Sequence, residues 1–368
     1  MPEKYISEVI LNNFRNYSNR TFDFCGGFNI LVGPNGRGKT SLLEAISLVS
    51  DARGLRGAQV DEMVSMNCKR GGTLPDDVMF SVYLKFNDRD RVVLRQKYDR
   101  KLIKFNDEQL RNTDPLTKIL RITYFIPQMD QFFMEDRPAR VKFLDRTADM
   151  LFVSHYANVK KYEFFLRERI KILLTNANQN RWLDIVEKKI AELGTAIADV
   201  RNRIISRLNQ IFLEYTTEFP MEHLNILGEV ENGFSDRRAL EIENFYRRTL
   251  FSNRDIDRET KKTNFGVHRS DLSVSNRVNG VKAELCSSGE QKMLLLSLIV
   301  TRAIFSKQIN SGATVLLLDE ACSHIDETAR EKLFFELGKL DIQSFITGTD
   351  PGYFKNLEKF ANSKIIEL

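Results

Sequence analysis

The residues best equipped for chemistry form one run, Gly33-Pro34-Asn35-Gly36-Arg37-Gly38-Lys39-Thr40, with Ser41 next in line. It fits the phosphate-loop pattern G-x-x-x-x-G-K-[ST] at every position. Glycines let the backbone curl so that successive N–H groups point at one anion. A helix starting at the loop's end adds partial positive charge. Lys39 has the reach for β- and γ-phosphates, and the Thr40 hydroxyl is a ligand for Mg²⁺. Far along the chain, Val315-Leu316-Leu317-Leu318 ends in Asp319-Glu320. Asp319 is placed to sit by the metal and Glu320 to polarise an attacking water. No N-K-x-D-like guanine reader is present, so ATP is the expected nucleotide, with Mg²⁺.

These groups need a scaffold, and the flanking sequence describes one. Phe28 to Val32 is a short apolar strand entering the loop, and Thr40 to Val49 reads as the helix leaving it. Leu42, Leu43, Ala45, Ile46 and Val49 supply that helix's apolar face. Tyr5 to Leu11, Thr21 to Phe24, Phe80 to Phe86, Arg91 to Lys97 and Leu102 to Phe105 read as further strands, the later ones antiparallel with one wet face. Arg121 to Ile126 is another, stopped by Pro127. From about Arg137 to Phe219 the texture turns helical. Trp182, Val186, Ile190, Leu193, Ile197, Val200, Ile204, Leu208, Ile211 and Tyr215 recur near the helical period. That predicts one helix of about 35 residues, or two broken at Gly194. A helix from Ser154 to Leu174 precedes it, carrying Val159, Phe165 or Tyr162, Leu166, Ile170 and Leu173. The pair predicts an antiparallel arm. Short strands return after Phe219, and Phe251 to Asn264 reads as charged and mobile. From Ala283 onward, loop, helix (Gln291 to Phe305), strand (Thr314 to Leu318), helix (Glu327 to Leu337) and strand (Gln343 to Thr347) follow the doubly wound parallel pattern.

Composition narrows the rest. The 368 residues carry 55 basic and 50 acidic side chains, a net charge of 55 − 50 = +5. At 42% hydrophobic the chain can bury a large core, and its low glycine and proline content excludes a mainly disordered protein. Cys25, Cys68, Cys286 and Cys322 make no C-x-x-C pair, so reduced and mostly buried thiols are expected. No membrane-span window and no signal peptide appear in the sequence, which points to a cytoplasmic protein with no membrane partner.

Ser287-Ser288-Gly289-Glu290, followed by Gln291, precedes a long apolar helix and resembles the signature motif of ABC-type ATPases. In that superfamily the motif caps the γ-phosphate held by a second subunit, so the interface is isologous. Ser323-His324-Ile325-Asp326 resembles the D-loop of the same seam, contributing His324 and Asp326. From Lys39 to Asp319 there are 319 − 39 = 280 residues, too many for a transport-type ATPase and too few for a full SMC coiled coil.

Across nearly its whole length the chain resembles the RecF family of SMC-like ATPases. Leu11-Asn12-Asn13-Phe14-Arg15-Asn16-Tyr17 is similar to its opening segment, and Phe143-Leu144-Asp145-Arg146 to its R-R-x-F-L-D stretch. Gly266-Val267-His268-Arg269-Ser270-Asp271-Leu272 resembles its G-P-H-R-D-D-L segment, with Val267 and Ser270 departing from it. Cys286 to Lys292 and Leu316 to Asp326 match its signature and Walker B regions. The resemblance implies an α/β fold: a P-loop ATPase head of mixed sheet and helices, in two parts (1–126 and 281–368), and an inserted lobe (127–280) with a helical arm (about 137–219). It implies an ATP-dependent homodimer that binds double-stranded DNA at single-stranded gaps. With RecR and RecO as partners it would help load recombinase, and it would hydrolyse ATP slowly. It places Gln128 in the Q-loop, beside nucleotide and metal, with Thr349 standing where transporters have a switch histidine.

Basic clusters offer themselves to DNA phosphates: Arg53 and Arg56, Lys69 and Arg70, then Lys160-Lys161, Arg201 with Arg203 and Arg207, Arg237-Arg238, Arg247-Arg248 and Lys261-Lys262. Three rival readings remain: a transporter ATPase subunit, an ATPase–nuclease with a Toprim domain, and a nucleotide-locked scaffold. The first lacks its switch histidine, and the second lacks room, since only about 40 residues follow Asp326. Glu320 argues against the third.

Overall fold

The computed structural model describes residues 1–50, 54–65, 68, 79–97, 100–111, 115–152, 154–175, 180–214, 218–220, 222–359 and 362–368. In chain order the elements begin β1 (Ile6–Phe14), β2 (Tyr17–Asp23), β3 (Phe28–Val32), α1 (Lys39–Ser50) and α2 (Val60–Met63). Next come β4 (Phe80–Phe86), β5 (Arg91–Lys97), β6 (Arg100–Phe105), β7 (Glu108–Leu110), α3 (Leu116–Ile119) and β8 (Leu120–Phe125). The middle of the chain holds α4 (Arg137–Ala148), α5 (His155–Leu174), α6 (Asn180–Glu214), β9 (Glu222–Leu227), α7 (Glu229–Asn232), α8 (Ala239–Ser252), α9 (Arg254–Thr260) and β10 (Asp271–Asn276). It closes with α10 (Ser288–Gln308), β11 (Ala313–Leu318), α11 (Glu327–Lys339), β12 (Gln343–Gly348) and β13 (Ser363–Glu367).

The chain divides into two compact units. The first comprises Met1–Asp130, Thr217–Phe219 and Lys292–Leu368. The second comprises Gln131–Thr216 and Pro220–Gln291. The signature turn is therefore grouped with the inserted unit, beyond the boundary at 280 expected from sequence.

Two sheets build the first unit. One is antiparallel in the order β2-β1-β4-β5-β6-β7, and the other is parallel in the order β13-β3-β12-β11-β8. Strands β3 and β11 are buried along their whole length, as continuous apolar runs in a parallel sheet should be. Helix α1 packs on strands of both sheets, so its burial is wider than one face. Leu42, Leu43, Ala45, Ile46 and Val49 are buried as expected, but so are Glu44, Ser47 and Leu48. Glu44 is tolerable there because Arg15 donates two hydrogen bonds to its carboxylate, each 2.8 Å. Strand β13, unforeseen in the sequence, pairs in parallel with β3, from Ser363 opposite Phe28 to Glu367 opposite Val32.

The second unit packs α5 and α6 against each other, and α8 against α6. Helix α6 is continuous over 35 residues, so the break at Gly194 does not occur. Gly194 is there for close packing: a Cβ at this position would come within 2.6 Å of the Tyr246 ring of α8. Of the expected stripe, Val186, Ile190, Ile197, Ile204, Leu208 and Ile211 are buried and Leu193 and Val200 half-buried, but Trp182 at its start is 53% exposed. On α5 it is Tyr162, not Phe165, that is fully buried.

Three further expectations are overturned. The 251–264 segment is not a loose charged stretch. It holds α9, anchored by Asp257, which is completely buried and accepts from Arg169 at 2.6 Å. Arg201 is not a surface cation for DNA. It is 3% exposed and donates to Asp145 at 2.8 and 2.9 Å and to Glu231 at 3.1 Å. The cysteines are all free thiols, but only Cys322 is buried. Among the described residues, no helix is long and apolar enough to cross a membrane.

Candidate nucleotide site

The phosphate loop lies between β3 and α1, as its spacing requires. Gly36 and Gly38 adopt φ of +81° and +102°, a region that disfavours side chains. At Gly38 space is also short, since a Cβ would lie 2.6 Å from the Tyr17 hydroxyl. Asn16 braces the loop from the same turn, its side-chain amide donating to the Gly36 carbonyl at 2.8 Å. Ser41, 6% exposed, donates to Asn16 Oδ1 at 3.4 Å. Pro34, Asn35 and Arg37 are exposed along the loop.

The Lys39 ammonium is 5% exposed and donates to the carbonyls of Gly33 at 2.6 Å and Pro34 at 3.0 Å. Burial pulls its pKa below the usual lysine value, and the carboxylates of Glu320 and Asp319 partly restore it. Asp319, at the end of β11, accepts on Oδ1 from Thr40 Oγ1 at 3.0 Å and from Thr347 Oγ1 at 2.8 Å. The phosphate loop and β12 thus converge on one oxygen of the Walker B carboxylate. Glu320 follows in a left-handed turn, φ +50°, with its N–H donating to Thr347 Oγ1 at 2.9 Å.

Gln128 is exposed, in the 3-10 turn Pro127–Met134 that follows β8. Thr349 is exposed too, whereas the hydroxyl that touches Asp319 belongs to Thr347. His324 is exposed with φ +60°. Asp326 caps α11, accepting from Ala329 N–H at 2.7 Å. Lys292, near the start of α10, is 4% exposed and donates to the Ser323 carbonyl at 2.8 Å, just ahead of His324.

The signature turn, described by itself, is a capping box. The Glu290 carboxylate accepts from Ser287 N–H at 2.9 Å and from its hydroxyl at 2.7 Å. These two bonds hold the carboxyl below the usual glutamate pKa. Ser287, Ser288 and Glu290 are exposed, and a Cβ at Gly289 would meet nothing within 4 Å. Of the basic residues offered to DNA, Arg56 is exposed, while Arg53, Lys69 and Arg70 lie outside the described residues.

Sequence reasoning missed Thr347 and Tyr17. Thr347 carried a readable signal, a hydroxyl in the apolar run Phe345-Ile346-Thr347 of a fully buried strand. Tyr17 carried none beyond its place in the opening segment. Its hydroxyl is buried without a hydrogen-bond partner, and burial pushes its pKa up to about 12.

The donor set fits the expected ligands. Curled glycine backbone and a buried lysine suit a polyphosphate. A carboxylate beside a hydroxyl, both hard oxygen donors, suits Mg²⁺, which is bound by few protein ligands plus phosphates. Among the described residues no cluster of three or more His, Cys, Asp or Glu side chains that could hold a metal ion occurs.

A parallel sheet that sets a phosphate loop against a Walker B carboxylate, with a signature helix in the same chain, defines an ABC-type ATPase head. Residues 5–366 match the family model of the RecF/RecN/SMC N-terminal domain. The DNA replication and repair protein RecF of Mesorhizobium japonicum is 34% identical over 367 residues, covering 97% of this chain and 95% of the relative. Its counterpart in Rickettsia akari is 32% identical, with 100% of both chains covered. A structure of the recombination mediator RecF with ATP superposes with a TM-score of 0.78 at 25% identity, over 99% of this chain and 97% of that one. An Smc head from Pyrococcus furiosus shares the fold alone, with a TM-score of 0.54 at 16% identity over 99% of this chain and 93% of that one. The chain belongs to the RecF family.

Proposed function

We propose that the chain is an ATP-gated DNA clamp: it pairs with a second copy of itself around ATP, holds duplex DNA next to single-stranded gaps, and helps load recombinase together with RecR and RecO. The observation that carries this reading is the state of the signature turn. Ser287, Ser288 and Glu290 face solvent around an unobstructed Gly289, at the start of a 21-residue helix. The Ser287 donors are taken by Glu290, but the Ser288 hydroxyl, the N–H groups of Ser288 and Gly289 and a helix dipole there suit an anion delivered by another molecule.

In this reading the backbone of Gly33 to Ser41 holds the phosphates and Lys39 neutralises the terminal ones. Thr40 and Asp319 hold Mg²⁺, with Gln128 closing over the site. When bound, the metal draws charge from the phosphate oxygens. The Glu320 carboxylate accepts the proton of the attacking water. His324 and Asp326 run along the seam between copies. Arg56, with Arg53, Lys69 and Arg70, contacts DNA phosphates without reading bases, so binding weakens steeply with salt.

Sedimentation in Mg-ATP tests the shared site. Wild type should dimerise, Lys39→Ala should stay monomeric, and Glu320→Gln should accumulate as dimer. A Glu320→Gln protein that remains monomeric in saturating ATP removes the shared-site mechanism. Equal duplex affinity with and without ATP removes the clamp.

A further inference from the structure

We infer that Thr347 is the positioning residue for hydrolysis: its single hydroxyl locks the Walker B carboxylate and the following glutamate into one geometry. This rests on the reading of Glu320 as the base.

The hydrogen-bond directions are fixed by elementary chemistry. A backbone N–H can only donate, so at 2.9 Å the Glu320 N–H donates to Thr347 Oγ1. An ionised carboxylate can only accept, so at 2.8 Å Thr347 Oγ1 donates its proton to Asp319 Oδ1. The hydroxyl therefore uses its donor and an acceptor position on two consecutive residues just past the end of β11. Thr347 itself is 0% exposed, so water does not compete for either bond.

Strand register explains why this position and no neighbour can do it. Strands β11 and β12 are parallel, with Leu318 opposite Ile346, the last pair of their ladder. One residue further on, Asp319 and Thr347 come level where the β11 ladder ends. There the chain turns into the left-handed region at Glu320. A non-glycine residue adopts that conformation at a cost. A bond to its own N–H is the direct way to hold the peptide plane, and hence the direction in which the carboxylate leaves the backbone. The same Asp319 oxygen also receives Thr40 of the phosphate loop at 3.0 Å, so Thr347 ties the glutamate to the loop through one atom. Thr349, the residue expected to act here, is exposed two positions further on.

The requirement is for a hydroxyl of this size. Valine keeps the shape and loses both bonds, while serine keeps both bonds and loses a methyl. The test compares steady-state ATP turnover with nucleotide affinity, read with a fluorescent ATP analogue, in wild type, Thr347→Val and Thr347→Ser. Thr347→Val should lower kcat at least tenfold, with the analogue's Kd within threefold of wild type. Thr347→Ser should recover most of the turnover. Wild-type kcat in Thr347→Val overturns the inference. So does a Thr347→Val protein that loses nucleotide affinity in proportion, or a serine variant as slow as the valine one. A wild-type protein that binds the analogue but shows no turnover refutes the hydrolytic reading itself, and so separates the two failures.

Discussion

Both units bury charged side chains, but they commit them differently. In the inserted unit Arg169 is wholly buried. Its Nε donates to Glu187 at 2.9 Å, one Nη to Asp257 at 2.6 Å and Thr263 at 3.2 Å, the other to the Leu250 carbonyl at 2.7 Å. Arg201 is similar: Asp145 and Glu231 flank it, the Val267 carbonyl accepts at 2.7 Å, and Ser270 donates to both Glu231 oxygens. In the ATPase unit Asp319 has two hydroxyls converging on one oxygen, Glu320 is tethered through its backbone, and Lys39 rests on two loop carbonyls. Charges neutralised by an opposite charge of the fold, as Arg169 and Arg201 are, and as Glu44 is by Arg15 in the ATPase unit, hold the fold together. Charges aimed at a glycine-lined loop, and held by few bonds, are available for a ligand. The contrast separates structural ionic networks from chemical ones where composition and burial alone do not.

The largest expected effect lies at the chemical end. Glu320→Gln should reduce ATP turnover by about 10²–10⁴-fold, the usual worth of a general base. Its melting temperature should hardly move. Turnover within tenfold of wild type would put the base elsewhere. At the structural end, Arg169→Leu leaves the buried Asp257 carboxylate without its cation, while Glu187 keeps Arg254, which should cost about 3–5 kcal/mol in urea unfolding. Nucleotide affinity of the folded variant should stay within threefold. A loss below about 1 kcal/mol would erase the distinction between the two regions.

Acid sharpens the same contrast. Burial alone would raise the Asp145 pKa, but Arg201 and His155 more than offset it and hold the carboxyl below its ordinary value. A depressed folded pKa means that the contribution is fully present above the unfolded value, about 3.9, and is lost as pH falls through the folded value. Asp145→Asn should therefore be less stable by about 1.5–3 kcal/mol at pH 7 and should show a flatter acid limb. Parallel acid limbs for the two proteins would show that this network does not titrate. The smallest effect is chemical labelling. Burial pushes the Cys322 thiol up to about 12, two residues past Glu320. Iodoacetamide at pH 8 should leave it unmodified until denaturant is added. Prompt labelling of native protein would mean that water reaches the rear of the Walker B turn.

What could be read beforehand follows the physics of each element. Strands β3, β4 and β5 match their sequence limits, because apolar runs and strict alternation are local patterns. The phosphate loop is local too. Thr347 escaped because its role depends on register between strands joined by α11. Composition points Arg201 toward solvent, yet it stands four residues after Ile197 and four before Ile205, on the buried face of α6. A cation on an apolar stripe announces a buried partner. Asp257 escaped in a segment where acids and bases alternate and nothing local marks the one turned inward.

Strand β13 also bears on the order in which the molecule matures. The carbonyl of Asn362, just before it, accepts from the Phe28 N–H at 2.9 Å, Leu368, just after it, donates to the Val32 carbonyl at 2.9 Å, and Gly33 leaves no room for a Cβ beside the Leu368 carbonyl. The first residue of the phosphate loop is thus framed by residues made more than three hundred positions later. On the ribosome, strands β1 and β2 can pair early, but β3 gains its two parallel neighbours only after residue 368 leaves the exit tunnel. A nascent chain of this protein carries a complete phosphate-loop sequence through some three hundred further residues of synthesis before the sheet that gives the loop its shape can form.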